Sequence, residues 1–185
     1  MHGVGSSCVN AVSDSLLLTI ATGGKLYRAE FARGLITSNL KVFDDDIPAD
    51  MTGTAVEFQL DKTIWGEETL DLERIKKRVR QMAYLNPGLT MSIEIDTTDK
   101  DGKEIKFDET YCYKDGIKTY VEKIAKGKKI ISKTGYTKQT IDGTEIALAF
   151  AYTDSTAQIV NTFVNNIATE EGGDHLTGWK NGGIS

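Results

Sequence analysis

A chain of 185 residues has room for one domain or two small ones, and its 39% hydrophobic and 26% charged residues are those of a folded globular protein rather than a disordered one. A formal net charge of −5 argues against a free-standing DNA-binding module, because generic affinity for duplex DNA comes from lysine and arginine neutralising phosphates. No apolar run approaches the roughly 18–20 residues of a membrane-spanning helix, no basic segment precedes an apolar one as in a signal peptide, and the two cysteines, Cys8 and Cys112, suit free thiols in a reducing cytoplasm better than a disulfide framework or a metal site.

In chain order, His2-Gly3-Val4-Gly5-Ser6-Ser7-Cys8-Val9-Asn10-Ala11-Val12 reads as a glycine turn entering a helix, with Ser6 or Ser7 as the cap. Such a turn leaves backbone N–H groups facing out of a helix N-terminus, where the macrodipole also favours negative charge; the physical reading is a phosphate cradle, with glycine keeping side chains out of the way and supplying positive φ. Residues 15–22 form a continuous apolar run, as in a strand covered on both faces, and Gly23-Gly24 marks a hairpin turn. Lys25 to Arg33 alternates, with Tyr27, Ala29 and Phe31 on one face and Arg28 and Glu30 on the other. Ile36 to Phe43 follows as another strand, and 44–50 is an acidic surface loop. Thr54 to Leu60 alternates again and puts Thr54 and Val56 on one side.

A helix capped by Thr69 or Asp71 runs to about Leu85, with Leu72, Ile75, Val79 and Met82 on one face and basic residues on the other; Asn86-Pro87-Gly88 ends it. Residues 89–96 and 105–107 read as a strand and its return, and a short helix covers Ile117 to Lys126. Residues 129–138 and 144–153 pair through Asp142-Gly143, 158–167 form a third strand, and a last helix starts at Asp174 or Thr177. The basic clusters around Arg74–Arg80 and Lys123–Lys129 read as solvated faces. Lys126-Gly127-Lys128-Lys129 is the best domain boundary.

His2 to Ser13 closely resembles the end of the ATP lid in the bacterial type II topoisomerase B subunits, those of gyrase and topoisomerase IV. Met51-Thr52-Gly53-Thr54-Ala55-Val56-Glu57-Phe58 resembles the strand beside the nucleotide in that family, and Met82-Ala83-Tyr84-Leu85-Asn86-Pro87-Gly88 a helix end. Phe163-Val164-Asn165-Asn166-Ile167 and Thr169 to Trp179 resemble two later segments, so the matches span nearly the whole chain in the right order. The implied fold is α+β: the C-terminal part of a GHKL (Bergerat) ATPase sandwich over 1–127, then the start of a ribosomal-protein-like transducer domain over 128–185.

The resemblance implies an ATP site built from His2, Gly3, Val4, Gly5, Ser6, Thr54 and Val56, with Thr54 in a water-bridged adenine contact and Val56 as an apolar wall. It implies ATP and Mg²⁺ as cofactors of the parent protein, and as partners DNA, a gyrase A-type subunit and a second B subunit on ATP binding, with no membrane. The family's general base and metal ligand, on a Glu-x-x-x-Asn helix, and its adenine-binding Asp-x-Gly-x-Gly turn find no match here. The chain therefore reads as an internal piece with no catalytic or metal residue of its own, inactive alone and with apolar surface exposed, prone to self-association or partial disorder near 1–12. Four departures from the family pattern stand out: Met1 for leucine, Thr22 near an expected arginine, Asp174 for threonine and Trp179 for phenylalanine. His175, with no nucleophile or ligand partner at a familiar spacing, reads as structural. The alternatives are a topoisomerase IV B subunit, a MutL-like mismatch-repair ATPase, and a binding module that kept this fold and lost its chemistry.

Overall fold

The computed structural model describes residues 4–66, 70–98 and 102–183, in two compact units that divide between Leu70 and Asp71. The first opens with helix α1 (Gly5–Ala11) and continues into strands β1 (Ser13–Thr22), β2 (Lys25–Ala32), β3 (Leu35–Asp44) and β4 (Gly53–Leu60), followed by a short helix α2 (Lys62–Trp65). The strands form one antiparallel sheet in the order β3-β2-β1-β4. Gly23 and Gly24, both at positive φ (57° and 74°), make the tight β1–β2 turn that the dipeptide predicts.

Pairing across the sheet aligns Thr54 with Ile20 and Tyr27, Val56 with Leu18 and Ala29, and Phe58 with Leu16 and Phe31. Directly paired residues share a face, so this face is apolar, while Glu57, Glu30 and Arg28 occupy the other. β1 is not covered on both faces as its run of apolar residues suggests: Leu16 and Ala21 are buried but Leu17, Leu18 and Ile20 are only half-buried. Toward the sheet margins the apolar face is open, with Ile36, Val42, Val56 and Phe58 each at least 46% exposed.

The second unit carries helix α3 (Leu72–Leu85), hairpin β5–β6 (Met91–Thr98, Glu104–Tyr111), helix α4 (Ile117–Ile124), hairpin β7–β8 (Gly135–Ile141, Thr144–Phe150), the two-residue strands β9 (Phe163–Val164) and β10 (Ile167–Ala168), and helix α5 (Asp174–Gly183). Asp71 caps α3 through the Arg74 N–H, 3.0 Å away. Of the predicted stripe of α3, Ile75 and Val79, joined by Ala83, meet Met91, Ile93, Ile95, Phe107 and Tyr111 of the hairpin. Asn86 ends the helix by returning its own Nδ2–H to the Met82 carbonyl at 2.8 Å.

Two strand expectations are corrected. Residues 158–167 do not form one strand: Asn165 and Asn166 both take positive φ (48° and 66°) and turn the chain sharply between β9 and β10. Asparagine tolerates the left-handed region, which an apolar count does not register. The 129–138 strand begins only at Gly135, preceded by an isolated bridge between Ile130 and Thr153.

Candidate functional site

The cradle reading rests on α1, and the described residues begin at Val4, so His2 and Gly3 lie outside them. Contrary to the expected serine cap, the helix starts at Gly5 with Val4 at the N-cap and no side chain closing the end. The first intrahelical bond of this end is Cys8 N–H to Val4 carbonyl, at 2.9 Å, and no side chain of the described residues takes up the first-turn amides, those of Gly5, Ser6 and Ser7. Gly5 is not at positive φ, so the conformational argument for glycine fails there. Nor does packing require glycine there, since a Cβ on Gly5 would meet nothing within 4 Å.

A set of contacts that sequence patterns do not reveal holds α1 to the sheet. Ser13, fully buried, donates its hydroxyl to the Val9 carbonyl at 2.6 Å and accepts the Arg33 N–H on its own carbonyl at 2.9 Å. The Gly34 N–H reaches the Asn10 carbonyl at 3.1 Å, and a Cβ at Gly34 would come within 3.6 Å of the Ala11 backbone. The Val12 carbonyl accepts from the Asp61 N–H (3.1 Å) and the Trp65 indole N–H (3.3 Å).

Asp61 is the hub of this corner. It is 2% exposed, caps α2 by accepting from the Thr63 N–H (2.8 Å) and hydroxyl (2.7 Å), and pairs with the Arg33 guanidinium at 2.7 Å. Those Thr63 hydrogen bonds first, and the Arg33 charge after them, hold its carboxyl below the usual carboxylate range. Arg33 also reaches Asp14 at 3.0 Å. The one sequence signal for this hub is the Asp-x-Thr at 61–63, a helix cap in miniature.

Thr54 and Val56 stand on β4, an edge strand, and both are exposed on the apolar face, Val56 at 49%. α1 leads into Ser13, which pairs with Leu60, whereas Thr54 pairs with Ile20. The two halves of the expected site therefore belong to one unit; the C-terminal end of α1 joins β1 at Ser13, about 23 Å along the strand from the Ile20 that pairs with Thr54. Thr22, the last residue of β1, is exposed opposite Lys25.

The later motif joins α5 to the β9–β10 hairpin. His175 Nε2 lies 3.1 Å from the Thr169 hydroxyl, which lies 2.7 Å from the Thr162 hydroxyl, so the three tie the start of α5 to the β9–β10 hairpin. Asp174 falls in the first turn of α5, where the helix dipole favours its charge. Trp179 packs on Phe150, with ring centroids 6.1 Å apart.

Residues 116–185 match the family described as DNA gyrase B. The DNA gyrase B protein of Helicobacter pylori (strain ATCC 700392 / 26695) is 38% identical over 187 aligned residues, which take in 98% of this chain. Nearly the whole chain is thus similar to gyrase B. It spans 23% of the length of that H. pylori relative. The 43K ATPase domain of Thermus thermophilus gyrase B, solved in complex with an aminocoumarin, aligns with a TM-score of 0.84 and 31% identity over 97% of this chain and 47% of that one. The topoisomerase IV ATP-binding domain of Francisella tularensis, solved with a small-molecule inhibitor, gives a TM-score of 0.75 and 26% identity over 97% of this chain and 46% of that one. The α+β fold is thus that of the gyrase B GHKL ATPases. No helix among the described residues is long and apolar enough to cross a membrane.

Proposed function

We propose that this chain is an internal segment of the ATP-binding component of a gyrase-type topoisomerase, with residues 1–127 closing the ATPase domain and 128–185 opening the transducer. The observation that carries the reading is 38% identity to a gyrase B protein sustained over 98% of the chain. The start of the gyrase B family match at residue 116, close to the Lys126–Lys129 boundary, supports the division. In the parent, ATP binding and hydrolysis drive DNA strand passage and supercoiling with an A-type subunit in the cytoplasm.

On this reading the chain supplies part of a nucleotide site. The Gly5, Ser6 and Ser7 amides and the open space beside Gly5 suit an anionic phosphate tail, with His2, Gly3 and Val4 as the preceding lid; Thr54 and Val56 suit the edge and wall of a base. Hydrolysis requires a positioned water, a carboxylate base and a metal-neutralised polyphosphate. Among the described residues no group of three or more His, Cys, Asp or Glu side chains could hold a metal ion; on this reading Mg²⁺ and the base come from elsewhere in the parent.

The test is the genomic reading frame upstream of Met1. An in-frame Glu-x-x-x-Asn and Asp-x-Gly-x-Gly, and ATP-dependent supercoiling by the full product with its A-type partner, are expected. A frame without them would make the protein a non-enzymatic module. The topoisomerase IV neighbour supports a second reading, which decatenation without supercoiling would select.

A further inference from the structure

Among the described residues, helix α1 is hydrogen-bonded to the rest of its unit at one end only. The last carbonyls of a helix lack a full set of intrahelical donors, and here three other segments supply them. Val9 accepts from the Ser13 hydroxyl, Asn10 from the Gly34 N–H, and the following Val12 from both the Asp61 N–H and the Trp65 indole. At the opposite end Val4 gives no side-chain cap, and no bond from another element reaches the first turn. The helix is a short lever, pinned at its C-terminal end.

Arg33 joins these pins to one another. With Gly34 it makes the two-residue β2–β3 turn, and it sits there at φ 50°, a left-handed conformation that such turns ordinarily give to asparagine or glycine. Arginine offers the turn itself no advantage. What it offers is a fork: Nε and Nη2 lie 2.7 and 3.5 Å from the two carboxylate oxygens of buried Asp61. Nη2 also reaches Asp14, an exposed side chain, at 3.0 Å. The guanidinium thus locks the turn that donates to Asn10 and Ser13 onto the corner that donates to Val12. A residue held in a disfavoured backbone conformation by a buried ion pair is a pointer to a role beyond packing.

We propose that Arg33 and Asp61 are positioning residues for ATP binding: acting through the carbonyls of α1, they set the angle at which its free end presents the lid. The role presupposes that residues 2–6 form an ATP lid, and neither side chain of the pair touches the nucleotide. The lid holds the phosphate tail in ground and transition states alike, while the base and the metal come from elsewhere in the parent. Loosening α1 therefore weakens the hold on ATP uniformly and leaves the chemical step intact.

The probe is Arg33→Asn, since asparagine suits the left-handed turn and only the fork is lost. Asp14→Asn, which removes the exposed arm alone, is the control. In the 185-residue chain, amide hydrogen exchange over residues 5–12 should quicken about tenfold in R33N and stay unchanged in D14N, with residues 72–85 unaffected in both. Unaltered exchange over 5–12 would overturn the proposal, and so would equal quickening over 72–85, the mark of general unfolding. In the full product of the reading frame, R33N should raise the KM for ATP about tenfold with kcat within about twofold of the unmodified enzyme, and D14N should change neither. A fall in kcat at unchanged KM, or a D14N effect equal to that of R33N, would overturn the positioning role. A full product that hydrolyses no ATP even unmodified would count against the lid itself, whereas the exchange measurement reads the pinning of α1 without it.

Discussion

Asp61 gathers the α1 corner of the first unit onto one carboxylate, and its chemistry sets the acid behaviour of that unit. Its pKa is depressed in the folded chain, so the stability it contributes is present above the ordinary carboxylate value and is lost as pH falls through the lower, folded one. Asp61→Asn should lower the melting temperature by several degrees at neutral pH and flatten the decline in stability below about pH 4, read by thermal denaturation across a pH series. An unchanged acid limb would mean that other carboxylates dominate. None of this hub was read from the sequence: Ser13, Arg33 and Asp61 are far apart in the chain, and ion pairs between such positions leave no local pattern. Thr54 and Val56 were legible because alternation alone puts them on one face. His175 is a different case: no partner stands at a familiar spacing, and the structure gives its ring a hydrogen bond with the Thr169 hydroxyl.

At the scale of elements, the hairpins announced themselves wherever glycine carried the turn, as at Gly23-Gly24 and Asp142-Gly143. They were missed where asparagine did, at 165–166, and α2 was missed because four residues are too few to show a period. Gly116 carries a stricter requirement. It sits at φ 51°, and a Cβ there would lie 2.6 Å from Pro87 Cγ and 3.1 Å from the Tyr84 carbonyl. Gly116→Ala should cost about 2 kcal/mol in chemical denaturation, because neither a proline ring nor a helix backbone can give way. The four-stranded sheet makes a different demand. Its apolar face is open at Ile36, Val42, Val56 and Phe58, more than scattered exposure explains. The chain should self-associate in a concentration-dependent way by sedimentation velocity, and I36K together with V42K should shift it toward monomer; a monomer at every concentration would show that the face is tolerated bare.

For the whole molecule, the order of motifs was more informative than any one of them. A short Gly-x-Gly before a helix is an ordinary turn on its own, and the structure indeed removes the positive-φ argument at Gly5 while leaving the amides open. What composition could not reveal was the division between Leu70 and Asp71, because contacts rather than charge define it. The purified chain, with an amide cradle and part of a base pocket but no identified base or metal ligand, should show no ATP turnover above background in a phosphate-release assay. Within the second unit, Asn166 donates its Nδ2–H to Asn86 Oδ1 at 3.2 Å and receives the Arg78 guanidinium on its carbonyl at 2.9 Å. That buckle fastens the far end of the unit to the tail of α3, so any shortened chain that stops before residue 166 would also unclasp the helix that packs on the β5–β6 hairpin.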